Sequence, residues 1–359
     1  MVTIVYAFRN RDVQRVKASL DSLQQQTNTD FKVVFVDYGS ELILSEDIQR
    51  LVEKYDFAKY FYVGHTGLLW NKSKAINFGI KNASTDYILI SDIDIVYPPE
   101  TIHFLKDFKQ EDKFYLFKIG YLTKEGTEKY YKSLDFKICK VKHFGYTFGV
   151  GLFSKKALES VGGLDDFFHF YGSEDEDLNQ RLKSSGYNQI KLDSLFVYHL
   201  WHVAYNSYDD SILSKIPRLY NIKRINQQHF AFHLKSMTKA HENNVLFGTV
   251  VEKEEYEQLL QPTRTFALPN IHAVVNHFIH VQLPLFENEI IKVTIQEDAY
   301  YRSLKHRLKK LLKRQTQPYI SMKQVNDLLL AEILYRYKHH NYAYEISDDL
   351  KTITFTIKI

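Results

Sequence analysis

The first 200 residues alternate between short apolar runs and amphipathic stretches. The apolar runs have the length and β-rich composition of buried strands, and they occupy residues 3–8, 32–37, 59–64 and 87–92. The stretches between them place apolar residues at helical spacing, over residues 12–26, 45–55 and 72–83. Strand–helix–strand alternation with short connections predicts right-handed βαβ units and a largely parallel sheet. Such sheets bind ligands at the carboxyl ends of their strands.

The alternation continues less regularly towards residue 202. Residues 113–122 have the pattern of another strand, and the rest of 110–146 predicts a loop. A strand leading into a helix is predicted over 149–163, which ends at a glycine pair. The next helix, 173–187, begins with acids and stops at a glycine, in agreement with helix-dipole and capping rules. Residues 187–202 predict a strand that leads into a segment with two histidines.

A different pattern follows residue 205. In 300–314, leucines recur at helical spacing among arginines and lysines without an acid. Residues 344–359 end in apolar and polar positions that alternate, which predicts a β-hairpin. We therefore expect two domains, an α/β domain over 1–205 and a mainly helical domain over 206–359 that ends in the hairpin.

Composition narrows the class of protein. The chain has 359 residues, of which 45% are hydrophobic and 25% charged, so it can bury a sizeable core. A net charge of +4 is too mild to indicate a nucleic-acid partner. Cys139 is the only cysteine, which favours a reducing compartment. The sequence shows no signal-peptide pattern and no run near the ~18 apolar residues of a spanning helix, so we expect a cytoplasmic protein.

The strongest chemical signal is the stretch DYILISDIDIVYPPE, residues 86–100. Its buried strand ends on Asp92 and Asp94, which point the same way because side chains alternate along an extended chain. Two carboxylates on one face form a site of hard oxygen ligands that suits Mg²⁺ or Mn²⁺. The alternative is a solvated pair of loop acids.

Other polar groups strengthen the first interpretation. Residues 174–177 are four consecutive acids in one helical turn, more than the helix dipole needs, and one of them could act as a general base. His199 and His202 follow a predicted strand and suit a metal. Arg9 and Arg11 could grip phosphate oxygens or form a surface pair.

Asp37 follows the second predicted strand and has two interpretations of its own. It could accept a hydrogen bond from the imide N–H of uracil, or it could cap the turn at Gly39.

Four stretches in this order resemble the GT-A glycosyltransferases, specifically family 2 and the β-1,4-galactosyltransferase superfamily. They are FRNRD (8–12), WNKSKAINFGI (70–80), SDIDIVYP (91–98) and GGLDDFFHFYGSEDEDLNQRL (162–182). The resemblance extends to about residue 202 and implies a GT-A fold, a mostly parallel sheet flanked by helices.

The resemblance also implies a role for individual residues. At the catalytic centre, Asp175 would be the base and Glu174 would bind the acceptor or donor hydroxyls. The metal, Mn²⁺ or Mg²⁺, would be bound by Asp94, His199 and His202. The UDP-sugar donor would contact Phe8, Arg9, Arg11, Asp37, Lys74, Asp92 and Asp94. The acceptor would contact Tyr171, Gly172 and Asp177.

The implied reaction is metal-dependent, inverting transfer of a hexose or N-acetylhexosamine from a UDP-sugar to a hydroxyl of a glycan or glycolipid, in bacterial-type surface polysaccharide synthesis. Ala7, Tyr171 and Ser173 depart from the family pattern, so the identity of the sugars stays open. The alternatives are a retaining enzyme similar to polypeptide GalNAc-transferases and a non-catalytic nucleotide-sugar or carbohydrate-binding module. A nucleotidyltransferase is disfavoured, because FRNRD lacks the glycines of its phosphate loop.

The basic helix predicted over 300–314 also has two interpretations. Its leucines could pack on the second domain, or they could lie in a membrane interface whose anionic lipids attract the lysines. The second interpretation would make the protein a peripheral membrane protein at the inner membrane face.

Overall fold

A computed structural model of the chain describes residues 1–236 and 246–359, without the side chains of 147, 148, 194–196 and 206. It divides into two compact units. The first contains residues 1–64, 70–207 and 223–250, and the second contains residues 65–69, 208–222 and 251–359. The predicted boundary at residue 205 falls close to one of these divisions, and residues 237–245 of the predicted second domain lie outside the described residues. The described residues 223–236 and 246–250 belong to the first unit, a difference from the predicted boundary.

The first unit is built on an eight-stranded sheet in its described part. Its strands are β1 (Val2–Phe8), β2 (Phe31–Tyr38), β3 (Ala58–Val63), β4 (Tyr87–Ser91), β5 (Ile95–Val96), β6 (Lys113–Leu122), β7 (Val141–Ser154) and β8 (Asn188–His199). Their order across the sheet is β3-β2-β1-β4-β7-β6-β8-β5. Strands β3, β2, β1 and β4 are parallel, β7 is antiparallel to both its neighbours, and β6 pairs in parallel with β8. The predicted, largely parallel α/β sheet is therefore confirmed.

Helices lie between these strands along the chain, and the last helix of this unit follows β8. They are α1 (Val13–Gln24), α2 (Leu42–Val52), α3 (Lys72–Asn82), α4 (Thr101–Phe104), α5 (Lys124–Ser133), α6 (Lys155–Ser160), α7 (Glu174–Ser184) and α8 (Ile222–Ser236). Helix α3 packs closely against the sheet, because a Cβ atom on Gly79 would lie 2.3 Å from Cγ1 of Val5. A larger residue at position 79 would displace the side chain of Val5, so glycine permits the close contact between α3 and β1.

The second unit contains a four-stranded sheet in the order β11-β12-β10-β9. The strands are β9 (Arg264–Pro269), β10 (Ile290–Gln296), β11 (Tyr342–Ile346) and β12 (Thr352–Lys358). The helices are α9 (Tyr256–Leu259), α10 (His272–His277), α11 (Leu304–Leu311) and α12 (Met322–Glu332). Strands β11 and β12 form the predicted hairpin, with Ile353, Phe355 and Ile357 buried.

The structure differs from the predicted secondary structure in two places. Residues 110–146 are not a loop outside β6, because they include α5 and the start of β7. The second unit contains β9 and β10 in addition to the hairpin, so its description as mainly helical was incomplete. Among the described residues, no helix is both long and apolar enough to cross a membrane.

Candidate active site

The turns that follow β1 and β2 are joined by hydrogen bonds. The backbone N–H of Asn10 donates to Oγ of Ser40 at 3.0 Å, and the N–H of Glu41 donates to Oδ1 of Asn10 at 2.9 Å. Asn10 has a φ of 48°, a left-handed conformation that asparagine tolerates better than most residues. The two turns thus place half-buried Arg9 beside Asp37. Burial raises the pKa of Asp37, and the positive charge of Arg9 lowers it.

Asp37 is fully buried and caps its turn. Its Oδ1 accepts from the N–H of Ser40 at 3.0 Å, and its Oδ2 accepts from the hydroxyl of Tyr60 at 2.9 Å. Burial raises the pKa of this carboxyl despite both hydrogen bonds. These contacts support the turn-capping interpretation, and a contact with the nucleobase stays a prediction.

Strand pairing brings Asp94 to the two predicted histidines. Strand β5 pairs with the end of β8, where Ile95 lies opposite His199, and the N–H of Leu200 donates to the carbonyl of Asp94 at 2.9 Å. As a result, Oδ1 of Asp94 lies 3.5 Å from Nε2 of His199, and Oδ2 lies 3.1 Å from Nε2 of His202. The fold therefore brings the carboxylate of Asp94 next to two imidazoles from a distant part of the sequence.

The donor set of this cluster fits a divalent metal. Asp94 is 8% exposed, and its Oδ1 is a buried oxygen without a hydrogen bond. Nδ1–H of His202 donates to the carbonyl of Val203 at 2.9 Å, which turns Nε2 towards Asp94. Burial alone would raise the pKa of Asp94, but His199 and His202 outweigh it and hold that pKa well below its ordinary value. All three ligand atoms lie within 4.8 Å of one another.

Lys72, which was not predicted from the sequence, joins Asp92, two residues before Asp94, to the acidic start of α7. Its Nζ lies 2.6 Å from Oδ1 of Asp92 and 3.8 Å from Oε1 of Glu174. Burial alone would lower the pKa of Lys72, but the two acids raise it above its ordinary value. The ion pairs thus link the end of β4 to the first turn of α7.

The chain enters α7 through an unusual backbone. Phe170, Gly172 and Ser173 have φ values of 63°, 102° and 72°, a conformation that costs free energy in residues other than glycine. The loop is held in part because the N–H of Phe170 donates to the carbonyl of Trp70 at 3.0 Å. Oε2 of Glu174 also accepts from the N–H of Gly172 at 3.1 Å.

Asp175 follows this loop and has the properties of a general base. Burial raises its pKa to about 7, and the negative charge of Glu174 adds to this rise. Lys72 acts in the opposite direction. A carboxyl group that titrates near neutral pH can accept a proton efficiently at that pH.

The structure gives Asp177 a different position from the one predicted. Its side chain is fully buried, with Oδ2 accepting from Nε of Arg181 at 2.7 Å and Oδ1 accepting from Nδ1 of His233 at 2.6 Å. Both oxygens are therefore held by buried protein groups. We correct its assignment from acceptor contact to a residue that positions α7.

The remaining predicted residues lie in varied settings. The ring of Phe8 is fully buried against Phe35, so only its backbone could meet a donor. Arg11 is exposed, and Lys74 is buried within α3. Tyr171 is 42% exposed and stacks on Tyr205, with ring centroids 4.9 Å apart. The binding roles of these residues stay predictions.

Two segments of the chain match known protein families. Residues 3–162 match the family described as "Glycosyl transferase family 2". Residues 129–203 match the family described as "N-terminal domain of galactosyltransferase". No curated protein sequence matches the chain.

The chain is also similar to solved structures of glycosyltransferases. One is the mannosyltransferase PcManGT from Pyrobaculum calidifontis in complex with GDP-Man and Mn²⁺, at 18% identity and a TM-score of 0.41, over 55% of this chain and 56% of that chain. Another is GalNAc-T7 with UDP, GalNAc and Mn²⁺, at 14% identity and a TM-score of 0.44, over 56% of this chain and 43% of that chain. The chain thus spans about half the length of the structures that it resembles.

Together the two family matches cover residues 3–203 and identify this part of the chain as family 2-like glycosyltransferase sequence with a galactosyltransferase-like second half. The predicted family and enzyme class are confirmed.

The first prediction concerns the ligand set. Replacing Asp94→Asn removes the charge that holds both histidines, and we expect the affinity for Mn²⁺ to fall at least about tenfold. Titration of the metal-stripped full chain with Mn²⁺, followed by electron paramagnetic resonance of the free ion, measures this. Asp86→Asn, an exposed aspartate before β4, is the matched control. Equal affinities in the two variants would contradict the assignment.

Proposed function

We propose that the chain transfers a hexose or N-acetylhexosamine from a UDP-sugar to a hydroxyl of a glycan or glycolipid, with inversion at the anomeric carbon. The observation that carries this proposal is the continuous set of charges in the first unit. Asp94 lies between two histidines, and Lys72 joins its neighbour Asp92 to the acids that begin α7. These groups would supply a site for the leaving group and a proton acceptor close to each other.

The leaving group would be stabilised from two directions. Asp94, His199 and His202 would hold Mn²⁺ or Mg²⁺, whose positive charge favours a departing diphosphate. Arg9 and Arg11, at the end of β1, would donate to phosphate oxygens, for which the planar guanidinium is well suited. Lys72 keeps its proton beside Asp92 and Glu174, so it remains a cation at neutral pH.

Asp175 would activate the acceptor. Its carboxylate takes the proton of the acceptor hydroxyl while that oxygen forms a bond to the anomeric carbon, and the bond from this carbon to the UDP oxygen breaks. One displacement of this kind inverts the anomeric centre. Tyr171, exposed at the entrance to α7, would supply an apolar ring face for a sugar.

The second unit supports a proposed contact with anionic lipid. Four leucines of the basic segment point away from the protein, with Leu304 75%, Leu308 57%, Leu311 79% and Leu312 64% exposed. The side of α11 that is buried carries His306, which packs against Tyr300 and Tyr319. An exposed leucine face among basic residues without an acid is typical of an interfacial helix. This contact would bring the enzyme to a lipid-linked acceptor of surface polysaccharide synthesis.

The second prediction tests the catalytic base. We expect Asp175→Asn to lower kcat by about 10²–10⁴-fold, because the amide cannot accept the proton, while the Kd for the UDP-sugar changes little. A screen of UDP-sugars and GDP-sugars with Mn²⁺ supplies the donor, and Glu176→Gln, an exposed neighbour, is the control. Unchanged turnover in Asp175→Asn would refute the role.

The same screen separates the alternatives. Proton nuclear magnetic resonance of the fresh product reports the anomeric configuration, and retention would favour the GalNAc-transferase-like alternative. Donor binding by the wild type without any transfer or hydrolysis would favour a binding module.

The third prediction concerns pH. A base works when deprotonated, so at saturating Mn²⁺ kcat/KM should rise as the pH increases through about 7, the pKa of Asp175. Lys72 lowers that pKa, so Lys72→Met should move the rise to higher pH. Lys72→Arg keeps the positive charge and should leave the rise close to its wild-type position. A rise at the same pH in all three proteins would exclude Asp175 as the titrating group.

The fourth prediction tests the lipid contact. We expect the full chain to float with vesicles that contain phosphatidylglycerol and to remain unbound with pure phosphatidylcholine. Leu308→Gln combined with Leu311→Gln should weaken this binding at least about tenfold, because two exposed leucines no longer enter the interface. Leu285→Gln, at a leucine that is 75% exposed elsewhere in the second unit, is the control. If the wild type and all variants float equally with the vesicles, the leucines of α11 do not contribute to lipid binding and the prediction is wrong.

A further inference from the structure

A second cluster of one aspartate and two histidines lies in the first unit, apart from Asp94. Asp165 follows the glycine pair after α6, while His229 and His233 lie one turn apart on α8. Nε2 of His229 lies 2.8 Å from Oδ2 of Asp165, and Nε2 of His233 lies 3.7 Å from the same oxygen. Three potential ligand atoms therefore converge within 4.8 Å of one another.

The other nitrogen of His233 fixes the direction of its Nε2. Nδ1 of His233 lies 2.6 Å from Oδ1 of Asp177, a buried carboxylate that also accepts from Arg181. Since a carboxylate only accepts, Nδ1 carries the hydrogen, and Nε2 is the ring nitrogen that faces Asp165. In the neutral imidazole this nitrogen has a lone pair that can bind a metal.

This arrangement matches a metal site in its details. A histidine that binds a metal through one nitrogen usually donates its other N–H to a carboxylate or a carbonyl, as His233 does to Asp177. Ligands of a tetrahedral Zn²⁺ are separated by about 3.3 Å, given metal–ligand bonds of about 2.0–2.1 Å. The separations of 2.8 Å and 3.7 Å from Asp165 bracket that value. The Asp94 cluster is built likewise, since Nδ1 of His202 donates to a carbonyl.

The site also has access and rigid walls. Asp165 and His233 are buried, while the side chain of His229 is 22% exposed and offers a route from solvent. The ring of His229 stacks on Phe167, with centroids 3.8 Å apart, which fixes its orientation. Oδ1 of Asp165 accepts from the N–H of Phe167 at 2.9 Å, leaving Oδ2 towards the histidines.

We propose that Asp165, His229 and His233 bind a structural Zn²⁺ that fastens α8 to the segment preceding α7. Asn226 on the same helix already donates to the carbonyls of His169 and Tyr171, at 3.1 Å and 3.0 Å. The metal adds a second attachment one turn further along α8. Because this segment leads into Glu174 and Asp175, the ion would stabilise the backbone from which the acidic turn begins. The proposal stands whether or not the chain transfers a sugar.

The experiment uses the metal-stripped full chain titrated with ZnCl₂ in a calorimeter, in an Asp94→Asn background that disables the first cluster. We expect one tight site in Asp94→Asn, and at least about tenfold weaker binding when His229→Gln is added. Glutamine can still donate a hydrogen bond to Asp165 but supplies no imidazole. His272→Gln, an exposed histidine of α10, is the matched control and should leave the tight site unchanged.

Thermal unfolding separates a metal site from a hydrogen-bond network. Zn²⁺ should raise the Tm of Asp94→Asn and of the His272→Gln control, but not of the protein with His229→Gln. Equal zinc affinity and an equal Tm response with and without His229→Gln would overturn the proposal. X-ray absorption of zinc-loaded Asp94→Asn needs no change at the site, so it remains decisive if His229→Gln does not fold. Two imidazoles and one carboxylate around the ion would support the proposal, and any set without two imidazoles would refute it.

Discussion

The first unit depends on neutralising carboxylates that its sheet holds away from water. A buried carboxylate without a partner costs several kcal/mol, and Asp94 is only 8% exposed. The pairing of β5 with β8 supplies two imidazoles to this group, and α3 supplies Lys72 to Asp92. A neutral imidazole has a lone pair that can bind a metal ion, so the two histidines can serve as partners of Asp94 or as ligands beside it. The same histidines therefore stabilise Asp94 and complete the donor set of a cation site.

Periodicity predicted the elements whose apolar positions are numerous. Strands β1, β2 and β4 are runs of mostly buried apolar residues, and the hairpin β11–β12 alternates apolar and polar positions, whereas β3 is apolar in sequence but mostly half-buried. Helix α5 escaped prediction because its sequence is mostly polar, contains a glycine and has Tyr130 as its only large buried side chain. Strand β9 is short and ends at Pro269, and its place in a sheet comes from parallel pairing with β10, which local sequence does not encode.

Parts of the candidate site were predictable from where polar residues fall relative to the predicted strands and helices. Asp94, His199 and His202 stood out because they lie at or after the ends of predicted strands, and the family resemblance grouped them as one ligand set. The acidic start of α7 was visible as a run. The burial of Asp177 could not be predicted, because it depends on His233, a partner that is distant in sequence. The family resemblance pointed to Lys74, and Lys72 was missed. Helical residues two apart point to different faces, and only the position of the sheet shows which face meets the acids.

Residues outside the segment 170–173 hold it in its left-handed conformation before α7 begins. Its residues Phe170 and Ser173 have no intrinsic preference for positive φ, so hydrogen bonds must supply the free energy that holds them there. One comes from Trp70, before α3, and another from Asn226 on α8. Both residues are more than fifty positions from the loop in sequence, so the conformation of this loop is a property of the assembled unit. A substitution on α8 that weakens its hold on the loop would therefore change the loop without any substitution in the acidic turn itself.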